Sequence, residues 1–306
     1  MKKIKNLFLK FHHKTVSEKV TYVVYFLFFV FMSFVFLYPI YSAILASVTD
    51  VGNSIRGEGA KFADFFVIKG KPQFETWSGI VELFSVTTDA GEQNLLVMLF
   101  NSVWFTLAKT GLSLLASTLL AYAVAKYNFP GKRLIYVLAI FVQTIPIFGT
   151  GAASIKLFIG LNMMNNPLLF WIAWITGFDF TFIIMHGAFT GISNSYSESA
   201  KIDGANNWVI LFRIIFPMVA PILLALFISN SLGVWNDYST IMVYLRDYPT
   251  LSYGLYAFQN GSATYVRNAT AVQAAATLIS AVPIIVIYSC SQKLILTNIS
   301  VGGLKG

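Results

Sequence analysis

Charge is scarce in this chain. Asp, Glu, Lys and Arg make up 11% of its 306 residues, where soluble domains carry roughly 25%. That shortage, beside 57% hydrophobic residues, excludes an ordinary soluble enzyme of this length and points to an all-α membrane protein that crosses the bilayer several times. Cysteine is almost missing: Cys290 stands alone in an apolar run, which excludes a disulfide framework and a cysteine-based metal site. His186, in I-M-H-G-A-F, has no second ligand near it in sequence and reads as a packed histidine, so no metal site is expected. The phosphate-cradling pattern G-x-x-x-x-G-K-[ST] does not occur, so this chain is not expected to bind or hydrolyse ATP itself. No internal repeat, low-complexity tract or soluble domain is visible. The net charge of +8 comes without a basic stripe interleaved with aromatics, so it does not speak for nucleic acid.

Long apolar runs are what the sequence has in excess. A span needs about 20 mostly apolar residues, and six runs qualify: 22–48, 97–125, 134–158, 167–191, 217–245 and 271–291. The third holds Pro146 and glycines at 149 and 151, the fifth opens on Pro217 and Pro221, and the sixth holds Pro283. Such residues kink spans and are tolerated where neighbours re-satisfy the backbone. The first run is too long for the core of a signal peptide, roughly 7–15 residues. Ahead of it, Ile4, Leu7, Phe8 and Phe11 recur at helical spacing between lysines, which predicts an amphipathic segment over 1–21 lying on the membrane surface. With the N-terminus inside, the inner segments carry 13 Lys and Arg and the outer ones 6. The positive-inside bias therefore puts both termini in the cytoplasm. The expected organisation is a cytoplasmic segment 1–21, a first transmembrane helix 22–48, an external loop 49–96, a five-helix core 97–291 and a cytoplasmic tail 292–306. Within the external loop, F-E-T-W-S-G-I-V-E-L-F at 74–84 predicts a short helix.

Segment 192–216 is the one polar interruption with internal order. S-Y-S-E at 195–198 fits a capping box, with Ser195 at the helix start and Glu198 reaching back. Gly204 is a natural helix stop. Trp208, Leu211, Phe212 and Ile215 then repeat at helical spacing up to Pro217, which is expected to open the next span. Two readings follow. Glu198 either only caps a folded loop, or presents a carboxylate on a short rigid helix to a basic group of a cytoplasmic partner, a charge-assisted contact.

E-S-A-K-I-D-G-A-N-N-W-V-I-L-F-R-I-I-F-P-M-V-A-P-I-L resembles the EAA loop of ABC importer permeases. Glu198, Ala200, Asp203, Gly204, Ala205, Phe212, Pro217 and Pro221 match its pattern, and Ser199 replaces the usual first alanine. The tail L-I-L-T-N-I-S-V-G-G-L-K-G and the stretch G-V-W-N-D-Y are similar to those of carbohydrate-importer permeases of the maltose G-subunit type. The resemblance covers nearly the whole chain and is weakest over 50–93. It implies the six-helix type I importer permease fold in a bacterial cell membrane, embedded in lipid. It also implies a second homologous permease, two cytoplasmic ATPases that carry the ATP and magnesium, and an external solute-binding protein that delivers a sugar. The helix at 195–203 would sit in a groove of an ATPase, and Gly302, Gly303 and Lys305 in the tail would reach between the ATPases. A permease of the same superfamily for a peptide or amino acid is the alternative.

Charged groups within spans are expensive, about 2.5–3.5 kcal/mol at mid-helix, so each asks for a reason. Asp237 sits with Trp235, Asn236 and Tyr238. Aromatic faces beside amide and carboxylate acceptors suit a sugar. The competing reading has Asn236 and Asp237 bracing a helix. Lys109 and Lys156 are expected to snorkel or to pair across helices. An intramembrane aspartyl protease needs Y-D and G-x-G-D motifs, whereas Asp179 lies in T-G-F-D-F and Asp237 in W-N-D-Y. A secondary transporter would show inverted repeats, and none is visible.

Overall fold

The structure is a computed structural model that describes residues 15–48, 74–145, 151–175, 177–262 and 269–299. The amphipathic pattern at residues 4–11, Pro146, and Gly302, Gly303 and Lys305 lie outside the described residues. Two compact units are distinguished, Met1–Ser78 with Arg267–Leu278 and Gly79–Val266 with Ile279–Gly306.

In the first unit, helix α1 (Val16–Val48) starts six residues earlier than the hydropathy run. The reason is local. Thr15 and Glu18 form a capping box, with the Thr15 N–H donating to Glu18 Oε2 at 2.9 Å and the Glu18 N–H to Thr15 Oγ1 at 3.4 Å. Its aromatic side chains are mostly exposed, as a lipid-facing helix requires. Ser47 is buried and accepts the Trp77 indole N–H at 3.3 Å.

The expected helix at 74–84 is present as α2 (Glu75–Leu83). It leads into the second unit, where an antiparallel hairpin of β1 (Ser85–Thr88) and β2 (Gly91–Asn94) departs from the all-α expectation. Val and Thr on β1 favour an extended chain, and the Asp89-Ala90 turn closes it onto Gly91. Asn94 ends the hairpin and caps α3 (Leu95–Lys126) by accepting from the Val97 N–H.

Helix α3 is the axis of this unit. Around it run α4 (Lys132–Thr144), α5 (Gly151–Gly160), α6 (Pro167–Trp174), α7 (Phe180–Gly191), α8 (Ser195–Ile202), α9 (Asn207–Trp235), α10 (Tyr238–Tyr244) and α11 (Leu251–Ala257). Helix α12 (Ala269–Ile299) runs eight residues past the predicted end of the sixth span. A buried stripe of Ser102, Thr106, Thr110, Ser117 and Thr118 lets α7 and α9 approach α3 closely. Phe182, Met185, Phe189, Ile210, Ile215 and Val219 complete that core with Ala121. A second cluster joins Phe105, Phe170, Trp174, Ile241 and Leu245.

Four described helices are long and apolar enough to cross a membrane: Val16–Val48, Leu95–Lys126, Asn207–Trp235 and Ala271–Ser289. The third and fourth predicted spans are each divided instead, into α4 with α5 and α6 with α7. Chain sides are fixed by polar contacts in this unit. Asn165 donates to Asp247 Oδ2 at 2.8 Å, and Asn101 donates to the Pro249 carbonyl at 3.0 Å, so the 159–166 and 246–250 turns lie with the start of α3. Lys126 at the other end of α3 holds the 192–194 turn.

The fifth span also departs from expectation. No helix ends before Pro217. Helix α9 is continuous from Asn207, with a π-turn at Ile210–Ile215 in which the Phe216 N–H reaches the Leu211 carbonyl. That wider turn absorbs the donor and the space that Pro217 removes.

Helix α11 packs closely on α3 through Gly254, where a Cβ would lie 2.5 Å from the Met98 sulfur and 3.2 Å from a Phe84 ring carbon. Gly254→Ala is therefore expected to destabilise the protein by about 1–3 kcal/mol, measured as a lower thermal unfolding midpoint in detergent. An unchanged midpoint would contradict this close approach.

Candidate functional site

The polar hinge between α7 and α9 is built differently from the sequence expectation at its start and as the local rules require at its end. The capping box at 195–198 does not form. Asn194 is the N-cap residue, in helical conformation. Ser193 takes over the capping, its Oγ accepting from the Ser195 N–H at 3.3 Å and lying 2.9 Å from Ser195 Oγ. Glu198 is thereby released. Its carboxylate is exposed and makes no hydrogen bond or ion pair with any described residue. At the other end Gly204, at φ 83°, closes a double cap. The Ala205 N–H reaches the Ala200 carbonyl at 2.9 Å and the Gly204 N–H reaches the Lys201 carbonyl at 3.0 Å. Asn206 then caps α9 by accepting from the Val209 N–H at 2.9 Å.

This eight-residue helix is pinned by one small side chain. Ala200 is buried among Phe189, Ile210 and Ile215, and any larger residue there would push α8 off the core. Ser199, Asp203 and Gly204 are exposed and Ala205 is half-buried. Ile202 is 87% exposed, and Trp208 and Phe212 are 66% and 50% exposed. The two rings stack 5.9 Å apart at 9°, and Phe212 meets Phe216 edge-on. Pro217 is exposed inside α9. Apolar groups this exposed beside the carboxylates of Glu198 and Asp203 have the composition of a contact surface. Behind α8 a cavity of about 150 Å³ is lined by Lys126, Asn194, Glu198 and Lys201, among others.

The W-N-D-Y stretch lies where α9 gives way to α10. Trp235 is buried, and its indole N–H donates to the Ser280 carbonyl at 3.1 Å. Asn236 folds back to donate to the Leu232 carbonyl at 2.9 Å. Asp237 caps α10. Its Oδ1 accepts from the Thr240 N–H at 3.0 Å and Ser239 Oγ at 2.9 Å; its Oδ2 accepts from Thr240 Oγ1 at 2.6 Å and Lys109 Nζ at 2.8 Å. A carboxylate has about four acceptor positions, and all are taken, so a sugar hydroxyl would have to displace one of these donors. The geometry is that of a brace. Asn236 and Tyr238 are exposed, and Tyr238, 39% exposed, stacks on Tyr256 at 4.5 Å and 12°.

Sequence reasoning missed a second brace of the same design. Asp179 caps α7 by accepting from the Phe182 N–H at 3.0 Å, and its other oxygen accepts from Ser113 Oγ at 3.0 Å. Ser113 and Lys109 are one turn apart on α3, so one face of one helix serves both breaks. The sequence offered Lys109 a partner across helices and Asp237 a bracing role; that the two meet each other, and that Ser113 supports Asp179, was not readable. Lys156 is exposed on α5 with no ion pair among the described residues. His186 packs against the Tyr136 ring at 4.4 Å.

Residues 113–300 match the family described as the binding-protein-dependent transport system inner membrane component. The chain is 32% identical over 243 residues to the galactooligosaccharides transport system permease protein of Bacillus subtilis, covering 77% of this chain and 82% of that one. It is 29% identical over 208 residues to the arabinooligosaccharides transport system permease protein of Halalkalibacterium halodurans, covering 67% and 73%. The structure superposes with a TM-score of 0.74 and 22% identity on a chain of a bacterial ABC transporter involved in import of the acidic polysaccharide alginate, over 92% of this chain and 98% of that one. That likeness is one of fold.

The ion pair at the α9–α10 break gives a direct test. Lys109→Met and Asp237→Asn should each lower stability, and the double substitution should cost less than their sum by about 0.5–3 kcal/mol, read from thermal unfolding in detergent. Additive losses would mean that the two groups do not interact.

Proposed function

We propose that this chain, which belongs to the family of binding-protein-dependent transport system inner membrane components, is the permease subunit of an ATP-driven importer of oligosaccharides in a bacterial cell membrane. It is a transport component and not an enzyme. Its relatives named above are permeases for galacto- and arabinooligosaccharides, and a maltose/maltodextrin permease of Vibrio vulnificus aligns over 80% of this chain at 29% identity. The fold is that of a multi-pass helical permease, related to the type I ABC importers. In the arrangement we infer, the divided helices α4 with α5 and α6 with α7 each make one crossing. Six crossings then leave both ends in the cytoplasm, and α8 lies on the cytoplasmic face.

The partners follow from this reading: a second homologous permease, two ATPase subunits that bind ATP and magnesium, and an external solute-binding protein. Helix α8 is the coupling element, docked in a groove of one ATPase. Glu198 meets a basic group there, Ile202, Trp208 and Phe212 fill apolar ground around it, and Ser199, Asp203, Gly204, Ala205 and Pro217 shape the surface. The tail residues Gly302, Gly303 and Lys305 reach toward the ATPases. Of the residues near the α9–α10 break, Tyr238 has the free ring face that a sugar can stack on, while Trp235, Asn236 and Asp237 hold the helix ends. An ATPase shifts the permease between inward- and outward-facing states only by binding α8 differently in the two.

The observation that carries the reading is the released carboxylate of Glu198 on a helix capped at both ends by the chain itself. Co-expressed with its ATPase and second permease, the wild-type chain should retain both on purification. Glu198→Lys should retain the permease and lose the ATPase. An intact complex that still drives ATP-dependent uptake would overturn the docking role.

A further inference from the structure

The coupling hinge is continuous with α7 on one side and α9 on the other, and each of these helices ends, at its far end, at a capped break. The Asp179 cap begins α7, and the Asp237 cap follows the end of α9. Two lever arms therefore leave the hinge and finish at two of the helix interruptions, those capped by Asp179 and Asp237. Helix α3 touches all three points. Lys126 Nζ donates to the Ile192 carbonyl and to Asn194 Oδ1 at 3.1 Å, gripping the hinge where α7 ends and α8 begins. Ser113 Oγ grips Asp179 at 3.0 Å, and Lys109 Nζ grips Asp237 at 2.8 Å.

Apolar packing holds α7 and α9 against α3, with Tyr122 edge-on to Phe189 at 5.4 Å and small buried residues such as Ser117, Thr118 and Ala121 beside it. Hydrogen bonds are directional and fail within about half an ångström of displacement. The three grips therefore add polar register marks between α3 and its two arms to that packing. They are spread over 17 residues of α3, about 25 Å at 1.5 Å per residue, which is most of the roughly 30 Å of hydrocarbon.

We propose that Lys126, Lys109 and Ser113 are positioning residues that lock α3, α7 and α9 into one lever, so that movement of the coupling helix arrives at the two helix breaks undiminished. This rests on the coupling role proposed for α8. Without the grips the ATPase would still bind, because α8 and its exposed face are unchanged, but the arms would slip and the breaks would not follow.

The test uses the assembled complex in nanodiscs, with Cys290→Ser and a reporter Gly233→Cys, an exposed α9 position near the break with nothing within 4 Å of an added Cβ. The probe is a maleimide, and its labelling rate is compared with and without Mg-ATP. In the parental complex ATP should change the rate. In Lys126→Met the ATPase should stay bound while the ATP-induced change shrinks about tenfold, the size expected from losing a hydrogen bond to a charged group. Lys126→Arg, which keeps the donors, should restore it, whereas a purely structural role would not be recovered through coupling alone. Should Lys126→Met fail to accumulate, Asn194→Ala removes one acceptor of the grip and is read in the same way. An ATP response that persists in Lys126→Met or Asn194→Ala, and also in Lys109→Met, overturns this inference and leaves the docking reading standing. No ATP response in the parental complex, or no ATPase bound to it, overturns both.

Discussion

Interrupting a helix inside a membrane leaves backbone donors that hydrocarbon cannot satisfy, and each must find a partner within the protein. The architecture of the second unit follows from that constraint. The chain interrupts its third, fourth and fifth predicted crossings, and meets the breaks in the fourth and fifth the same way. An aspartate caps the new helix start, and a side chain from α3 supports the aspartate. Asp237 carries a charge that would be costly at such a place alone, and it is paired with Lys109 at 2.8 Å and hydrogen-bonded by Ser239 and Thr240. Asp179 needs only the Ser113 hydroxyl and the Phe182 amide. Because α3 serves both, it becomes the fixed axis around which α7, α9 and α10 are placed.

The hinge obeys the complementary rule for a surface exposed to water. Its termini are satisfied locally, by Ser193 at one end and the Gly204 double cap at the other. Local capping frees the functional face from structural duty. Among the described residues Glu198 has no hydrogen-bond or ion-pair partner, and Ile202, Trp208 and Phe212 are exposed. A helix this short is not stable by itself; it is held by Ala200 in the core and by the Lys126 grip. The same few contacts thus determine where α8 stands relative to the helix breaks at Asp179 and Asp237.

What could be read from sequence divides along the distance over which each feature is decided. Gly204 as a stop, the helical pattern from Trp208 and the long first run are decided by neighbours close in sequence, and they were legible. The capping box at Ser195 failed because Ser193 and Asn194 compete for the same donors, while the identical pattern at Thr15 and Glu18, without such rivals, forms. The divided spans were not legible from hydropathy, since α6 and α7 are both strongly apolar and one aspartate between them barely alters a 20-residue average. Their supports come from 66 and 128 residues away, beyond any periodicity. The hairpin at 85–94 was hidden in a segment read only as a loop. Pro217 marked a helix boundary by the usual rule, and the π-turn before it made that rule inapplicable. For the four side chains at the α9–α10 break that residue type singled out, geometry puts Trp235 and Asp237 in bracing contacts and leaves Asn236 and Tyr238 exposed.

The central claim is that α8 is the surface through which this permease is driven. Hydrogen exchange measured on the permease pair alone and on the complete complex with its ATPases tests it most directly. The account predicts slowed exchange at the amides of 195–203 and at Trp208 to Phe212 when the ATPases are present, with little change in the loop at 127–131 on the same side. Protection of 127–131 with unchanged exchange across 195–203 would contradict it.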